Sequence, residues 1–236
     1  MKSKIILALA ISLGSLSACE SDSIDIEFNG VGDIYVRCQK IENETKYAPV
    51  VYAYSNMRMS EAKIYHSDEE SNALLLEKVN ENATTFNFLP KSEDFTTADN
   101  IVNGIYNFRL TSTDDEILEL SDKLLEERID PLEISSFGYN QDENKIDAEW
   151  GTVENRDAYH VKIATKIDGQ IVYSSGRLND NSITITPESQ GWNRNYTMKS
   201  GTTYTLSVSA YKFEDSKTQN GYHINQESVD YRTLEW

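Results

Sequence analysis

Apolar and polar residues alternate along several stretches in the second half of the chain. In the clearest stretch Tyr204, Leu206, Val208 and Ala210 share one face, and the residues between them are threonine or serine. A repeat of two residues is typical of a strand with one buried face and one solvated face. The pattern predicts a strand that is entered through a turn at Gly201.

The same alternation predicts further strands in this half of the chain. They lie at residues 146–150, 159–163, 170–174, 183–185 and 229–233. Asp168-Gly169, between the second and the third of these, is a two-residue signal for a β-hairpin. Short strands at this spacing predict a β-sandwich over residues 131–236.

The first half of the chain repeats the pattern less clearly. Tyr106, Phe108 and Leu110 alternate with polar residues after Gly104, and shorter apolar pairs stand at 50–54, 62–64, 74–76 and 86–88. We predict another sandwich over residues 24–120, so the fold class is all-β with two tandem antiparallel sandwiches.

The segment Glu116 to Ile129 allows two interpretations. Its leucine and isoleucine spacing also suits a short helix that begins at Ser121 and is ended by Pro131. The alternative is a last strand of the first sandwich up to Leu120, followed by a linker over residues 121–130. We favour the strand and linker.

The stretch from Met198 to Tyr204 resembles the corner of a fibronectin type III domain. That family places an apolar residue, a turn with glycine and a tyrosine at this spacing, although Ser200 stands where it usually has proline. The resemblance implies that Tyr204 is a structural corner tyrosine whose hydroxyl bonds to nearby backbone. It also implies that Trp150 is the large core residue of the second strand.

The amino terminus has the layout of a secretory signal peptide. Lys2 and Lys4 precede an apolar run from Ile5 to Leu13, and small residues follow. The run is far shorter than the roughly 20 residues that span a bilayer. We therefore predict a signal peptide at residues 1–18 rather than a transmembrane anchor.

Leu16-Ser17-Ala18-Cys19 resembles the lipobox of bacterial lipoproteins. The resemblance implies lipid attachment at Cys19, with residues 19–23 as a tether to the membrane. The acidic residues after Cys19 resemble the export signal of surface lipoproteins in Bacteroidota. Together these features predict an outer-membrane lipoprotein exposed at the cell surface.

The net charge argues against one class of partner, and the cysteine count argues against disulfides. The formal net charge of −17 argues against nucleic acid as a partner, because binding nucleic acid needs clustered lysine and arginine. Cys38 is the one cysteine besides Cys19, so no disulfide framework is expected. Its place beside Val36 in an alternating run predicts a small buried hydrophobe.

Residue spacing gives no catalytic or metal site. His66, His160 and His223 lie on different segments without the spacing of a zinc site, and no nucleophile elbow or phosphate-binding loop is present. We therefore predict no catalytic residue, no metal and no cofactor.

Aromatic residues in loops are the best candidates for recognition. Trp192 and Tyr196 precede the Tyr204 strand, and Tyr222 follows it. Exposed aromatic rings often anchor ligands, so these three are the predicted ligand contacts. The alternative for Trp192 is that it packs into the core.

These features predict a lipid-anchored, non-catalytic binding or adhesion protein. Its partner would be another protein or a glycan, and the fold alone does not choose between them. One alternative is a structural spacer or accessory subunit of a cell-envelope complex, such as an uptake or pilus system. A hydrolase acting through scattered carboxylates is a remote alternative.

Overall fold

The structure is a computed structural model that describes residues 26–67, 69–214 and 223–236. These residues form fifteen strands and three short 3₁₀ helices, so the predicted all-β fold is confirmed. The predicted signal peptide, Cys19 with its tether, and Tyr222 lie outside the described residues. In the part of the chain that is described, no helix is long and apolar enough to cross a membrane.

The first sandwich, module one, packs two sheets face to face. One sheet contains β1 (Gly30–Ile41), β2 (Glu44–Ser55), β6 (Thr85–Phe88) and β5 (Glu77–Lys78) in that order. The other contains β4 (Leu74–Leu75), β3 (Met59–His66), β7 (Gly104–Ser112) and β8 (Ile117–Leu124). The segment after Glu116 is thus a strand, not the alternative helix, and it ends at Leu124, beyond the predicted boundary at residue 120.

Alternate residues of these strands build the core of module one. Phe108 and Leu110 of β7 are fully buried and pack with Ile34 of β1 and Met59 of β3. Gly32 of β1 lies directly over the Phe108 ring, where an added Cβ would approach the ring to 2.5 Å. The two sheets therefore come close together because this position has no side chain.

The second sandwich, module two, also has two sheets. A three-stranded sheet contains β9 (Ile134–Asn140), β10 (Lys145–Trp150) and β13 (Ser182–Ile185), with β10 in the centre. The opposite sheet contains β12 (Ile171–Ser174), β11 (Ala158–Ala164), β14 (Thr203–Phe213) and β15 (Ile224–Glu235) in that order. The strands predicted from alternation correspond to β10–β15, and none of them corresponds to β9.

Large aromatic residues form the centre of module two. Trp150 is buried and meets the Tyr159 ring edge-on, with the ring centroids 5.4 Å apart. The Tyr204 hydroxyl accepts a hydrogen bond from the Lys199 backbone N–H at 2.9 Å, the contact expected of a corner tyrosine.

One pairing joins the two modules. The last strand of the chain, β15, pairs in parallel with β1, and Arg37 of β1 lies opposite Glu227 while Cys38 lies opposite Ser228. The result is a continuous sheet of eight strands, which we call the shared sheet: β12-β11-β14-β15-β1-β2-β6-β5. Tandem sandwiches joined only by a linker would not have this pairing.

The predicted linker is bound along β15 by side chains. Asn225 and Gln226 accept hydrogen bonds from the backbone N–H groups of Leu125 and Ile129, each at 2.8 Å. The Ser228 hydroxyl accepts from Leu132 N–H at 2.7 Å. These polar side chains satisfy the backbone of a segment that forms no strand ladder, which fixes the connection between the modules.

Cys38 lies beneath this connection and is completely buried. Burial raises the pKa of its thiol to about 11. The prediction that Cys38 is a small buried residue is confirmed, and in the folded protein its thiol is protonated at neutral pH and shielded from reagents in solution.

Candidate functional site

The shared sheet forms a cleft on the face opposite the two cores. The cores take the residues on one side of β1 and its neighbours, such as Ile34 and Val36. The intervening residues of β1, Tyr35 and Arg37, therefore face the other way. On this face they line a cleft of about 230 Å³.

Both ends of the shared sheet contribute to the cleft. Val79 and Asn87 come from the β5–β6 end, and Ile171 comes from the β12 end. Strands at opposite edges of an eight-stranded sheet can line one cavity only if the sheet curls around it. The cleft is thus concave and belongs to both modules.

A buried arginine holds the floor of the cleft together. Arg37 Nε donates to Glu227 Oε2 at 2.8 Å, and Arg37 Nη1 donates to Asp168 Oδ2 at 2.8 Å. Ser209 Oγ and Tyr211 Oη donate to the other oxygen of Glu227 at 2.8 and 3.1 Å. Asp168 reaches the cleft because the predicted hairpin between β11 and β12 has its tip there.

At neutral pH the Glu227 carboxyl in the cleft is ionised, and the phenols of Tyr52 and Tyr231 are neutral. Burial alone would raise the pKa of Glu227, but the positive charges of Arg37 and Lys162 and its hydrogen bonds outweigh burial and lower it to about 2. Burial raises the pKa of Tyr52 to about 12 and raises that of Tyr231 further. The cleft therefore presents a paired carboxylate, cations and neutral phenol hydroxyls.

Aromatic rings extend from the cleft along the shared sheet. Tyr35, Tyr52 and Tyr54 form a ladder of nearly parallel rings with centroids 6.3 and 5.8 Å apart. Flat rings beside fixed hydrogen-bonding groups can hold an amphipathic ligand, because each ring offers an apolar face and a polar tip. Among the described residues that line the cleft there is no histidine or cysteine.

Trp192 and Tyr196, the two predicted contact residues that the structure describes, do not line the cleft. Trp192 and Tyr196 line a shallow groove of about 320 Å³ together with Trp236 in module two. Trp192 is half-buried, donates from Nε1 to the Thr186 carbonyl at 2.8 Å and packs on the core. The structure thus places it as the core-packing alternative describes, and its role as a ligand contact stays a prediction.

The three histidines occupy separate surroundings. His66 lies at the end of β3 beside the Asn103 carbonyl. His160 lies on β11 within 2.8 Å of Ser174 Oγ, and burial lowers its pKa to about 4. His223 is brought to Asp122, with Nδ1 3.2 Å from Oδ1, and this contact between distant residues has no signal in the sequence spacing.

Sequence reasoning missed the cleft because strand pairing between modules leaves no local pattern. A partial signal exists in β1, where Tyr35 and Arg37 alternate with core residues and a large aromatic and a cation share the outward face. Nothing in that pattern indicates that Glu227, 190 residues later, lies opposite Arg37.

Two solved structures match this chain with low identity and low TM-scores. The CD2-binding domain of CD58 (lymphocyte function-associated antigen 3) is 8% identical with a TM-score of 0.23, over 79% of this chain and 92% of that one. A tetra-tandem repeat in the extending region of a large adhesion protein is 11% identical with a TM-score of 0.24, over 87% of this chain. This chain spans about half the length of that repeat structure, 49%. No protein-family model and no curated protein matches the sequence.

Proposed function

We propose that this protein is a non-catalytic binding protein, held outside the cytoplasm by lipid on Cys19, and that the cleft on the shared sheet binds one sugar unit of a glycan. The observation that carries the proposal is the combination of stacked tyrosines with the fixed Arg37, Asp168 and Glu227 groups in one concavity. The cleft is smaller than the roughly 300–1,000 Å³ typical of drug-sized ligands, which suits a single ring.

The state of the charged groups supports binding rather than catalysis. Glu227 is ionised and held by Arg37, and the tyrosines stay neutral, so none of them titrates near neutral pH. A general acid or base works best with a pKa near the operating pH. Glu227 and Tyr52 therefore offer fixed hydrogen-bond partners to a ligand.

The lipid anchor is the second part of the proposal. Two or three acyl chains on one residue hold a protein on a membrane stably, whereas one chain binds marginally. Cys19→Ala should release the protein from the membrane fraction, and Cys38→Ala, which removes the buried thiol instead, should leave it there. Sedimentation of the Cys19→Ala protein with membranes would contradict the anchor.

The rigid joint favours one further candidate function. A parallel strand pairing fixes the angle between two modules, as a spacer or an accessory subunit of a cell-envelope complex requires. A spacer needs no occupied cleft, so the binding experiment distinguishes the two functions.

The experiment uses the chain from Ile24, which keeps every described residue. An immobilised glycan library is screened, and the affinity for any ligand is measured by calorimetry for wild type, Tyr52→Ala and Trp192→Ala. We expect Tyr52→Ala to weaken binding at least tenfold and Trp192→Ala to leave it within twofold. Binding that is weakened by Trp192→Ala and unchanged by Tyr52→Ala would place the site in the Trp192 groove. If no glycan binds, the proposal is contradicted and the spacer function is favoured.

A further inference from the structure

A second cluster of charged groups lies where the two modules meet, and its residues do not line the cleft. Asp33 on β1 and Asp122 on β8 belong to module one, and Glu214 and His223, at the ends of β14 and β15, belong to module two. The donor atoms of Asp33, Asp122 and His223 all lie within 4.8 Å of one another.

The spacing of the donor atoms is close to that of a metal centre. His223 Nδ1 lies 3.2 Å from Asp122 Oδ1 and 3.9 Å from Asp33 Oδ1. Ligands at about 2.0–2.1 Å from a tetrahedral metal are about 3.3 Å apart. Asp122 Oδ2 accepts the Ile34 backbone N–H at 2.8 Å, so this carboxylate is oriented with Oδ1 towards the cluster.

Two oxygens of the cluster are buried without a hydrogen-bond partner. They are Asp33 Oδ1 and Glu214 Oε1. Buried polar atoms almost always have a partner, so these two require an explanation. Asp122 beside them is 3% exposed, and two carboxylates with oxygens within 4.8 Å of each other in such a place repel one another unless a positive charge joins them.

The geometry points to a site for one divalent transition-metal ion that ties module one to module two. The ligands are carboxylate oxygens of Asp33 and Asp122 and the Nδ1 atom of His223. An imidazole combined with carboxylates suits Zn²⁺ better than Ca²⁺, which prefers oxygen ligands alone. The His223 side chain is 39% exposed, which leaves the ion a path from solvent. This proposal differs from the prediction from sequence that no metal is bound.

The test uses the chain from Ile24 without a histidine tag, titrated with Zn²⁺, Mn²⁺ or Ca²⁺ by calorimetry and thermal unfolding. We expect one Zn²⁺ per chain and a higher melting temperature with Zn²⁺, with Ca²⁺ bound more weakly. His223→Gln should weaken Zn²⁺ binding at least tenfold and abolish the rise in melting temperature. The matched control His66→Gln, which removes another half-buried histidine, should change the affinity by less than twofold.

Several outcomes would overturn the site. Equal Zn²⁺ affinity in wild type and His223→Gln, or loss of binding in His66→Gln alone, would place the metal elsewhere. Preferential binding of Ca²⁺ would contradict the ligand chemistry. Asp33→Asn serves as a second variant, since it keeps the size of the side chain, and it should weaken Zn²⁺ binding as His223→Gln does. The glycan assay is independent of these results.

Discussion

Gly32 sets how closely the two sheets of module one approach each other. An ideal Cβ at this position would lie 2.5 Å from Cγ of the fully buried Phe108 ring. Neither the ring nor the β1 backbone has room to move, because both are surrounded by the core of module one.

Gly32→Ala should therefore lower the free energy of unfolding by about 1–3 kcal/mol, as overpacking of a close-packed core does. Gly138→Ala is the matched control: this strand glycine of β9 has no atom within 4 Å of an added Cβ. Urea unfolding of both variants checks the prediction. A Gly32→Ala protein as stable as Gly138→Ala would show that the sheets are not packed as closely as described.

The joint between β1 and β15 depends on a buried ion pair as well as on backbone pairing. The side chains of Arg37 and Glu227 are 7% and 5% exposed, and they lie opposite each other across the two strands. A buried charge without a partner strongly lowers the stability of the folded protein, whereas replacing both members of a buried ion pair often leaves the stability nearly unchanged.

Arg37→Met should destabilise the protein by about 3–5 kcal/mol, because Glu227 would be left buried without its main cation. Adding Glu227→Gln should restore part of the loss, since the amide oxygen still accepts the hydrogen bonds of Ser209 and Tyr211. Chemical unfolding of both single variants and of the double variant measures the coupling. A double variant less stable than Arg37→Met would contradict the importance of the charge.

The same joint shows what a sequence can predict of this molecule. Alternation at Tyr204 to Ala210 and at Tyr106 to Leu110 predicts strands because burial of one face imposes a period of two. Alternation does not say which strands are neighbours, so the parallel pairing of β1 with β15 leaves no trace. The cleft and the metal cluster both depend on that pairing and could not be predicted either.

Some loop residues give a clear sequence signal, but the signal does not reveal their role. Trp192 stands out in the sequence as a large aromatic residue between strands, yet its indole N–H is bonded to the Thr186 carbonyl and its ring meets Tyr173 and Trp236. A sequence shows that a residue is large and apolar, but burial is decided by contacts that only the folded chain brings together.

The whole molecule should unfold as one unit, because β1 of module one and β15 of module two are hydrogen-bonded to each other in the shared sheet. All three tryptophans lie in module two, so their fluorescence reports that module alone. Phe108→Ala removes a buried ring from module one and should lower the free energy of unfolding by about 3–5 kcal/mol.

We expect Phe108→Ala to lower the denaturant midpoint of the tryptophan transition and of the far-ultraviolet circular dichroism transition together. Val102→Ala, an exposed position in module one, should leave both midpoints unchanged. A tryptophan midpoint that does not move in Phe108→Ala would mean that the modules unfold independently.

A disulfide across the joint tests the central claim most directly, namely that β15 of one module pairs with β1 of the other. In the chain from Ile24, Cys38 is the sole cysteine, and Ser228 is its partner on β15. Neighbouring strands lie about 4.7–4.9 Å apart, within the Cα range that a disulfide spans. We expect Ser228→Cys, refolded in a glutathione buffer, to form an intramolecular disulfide with Cys38 that mass spectrometry of the digested monomer detects. The matched variant Ser207→Cys on β14 should form none, and free thiols in folded, monomeric Ser228→Cys would contradict the shared sheet.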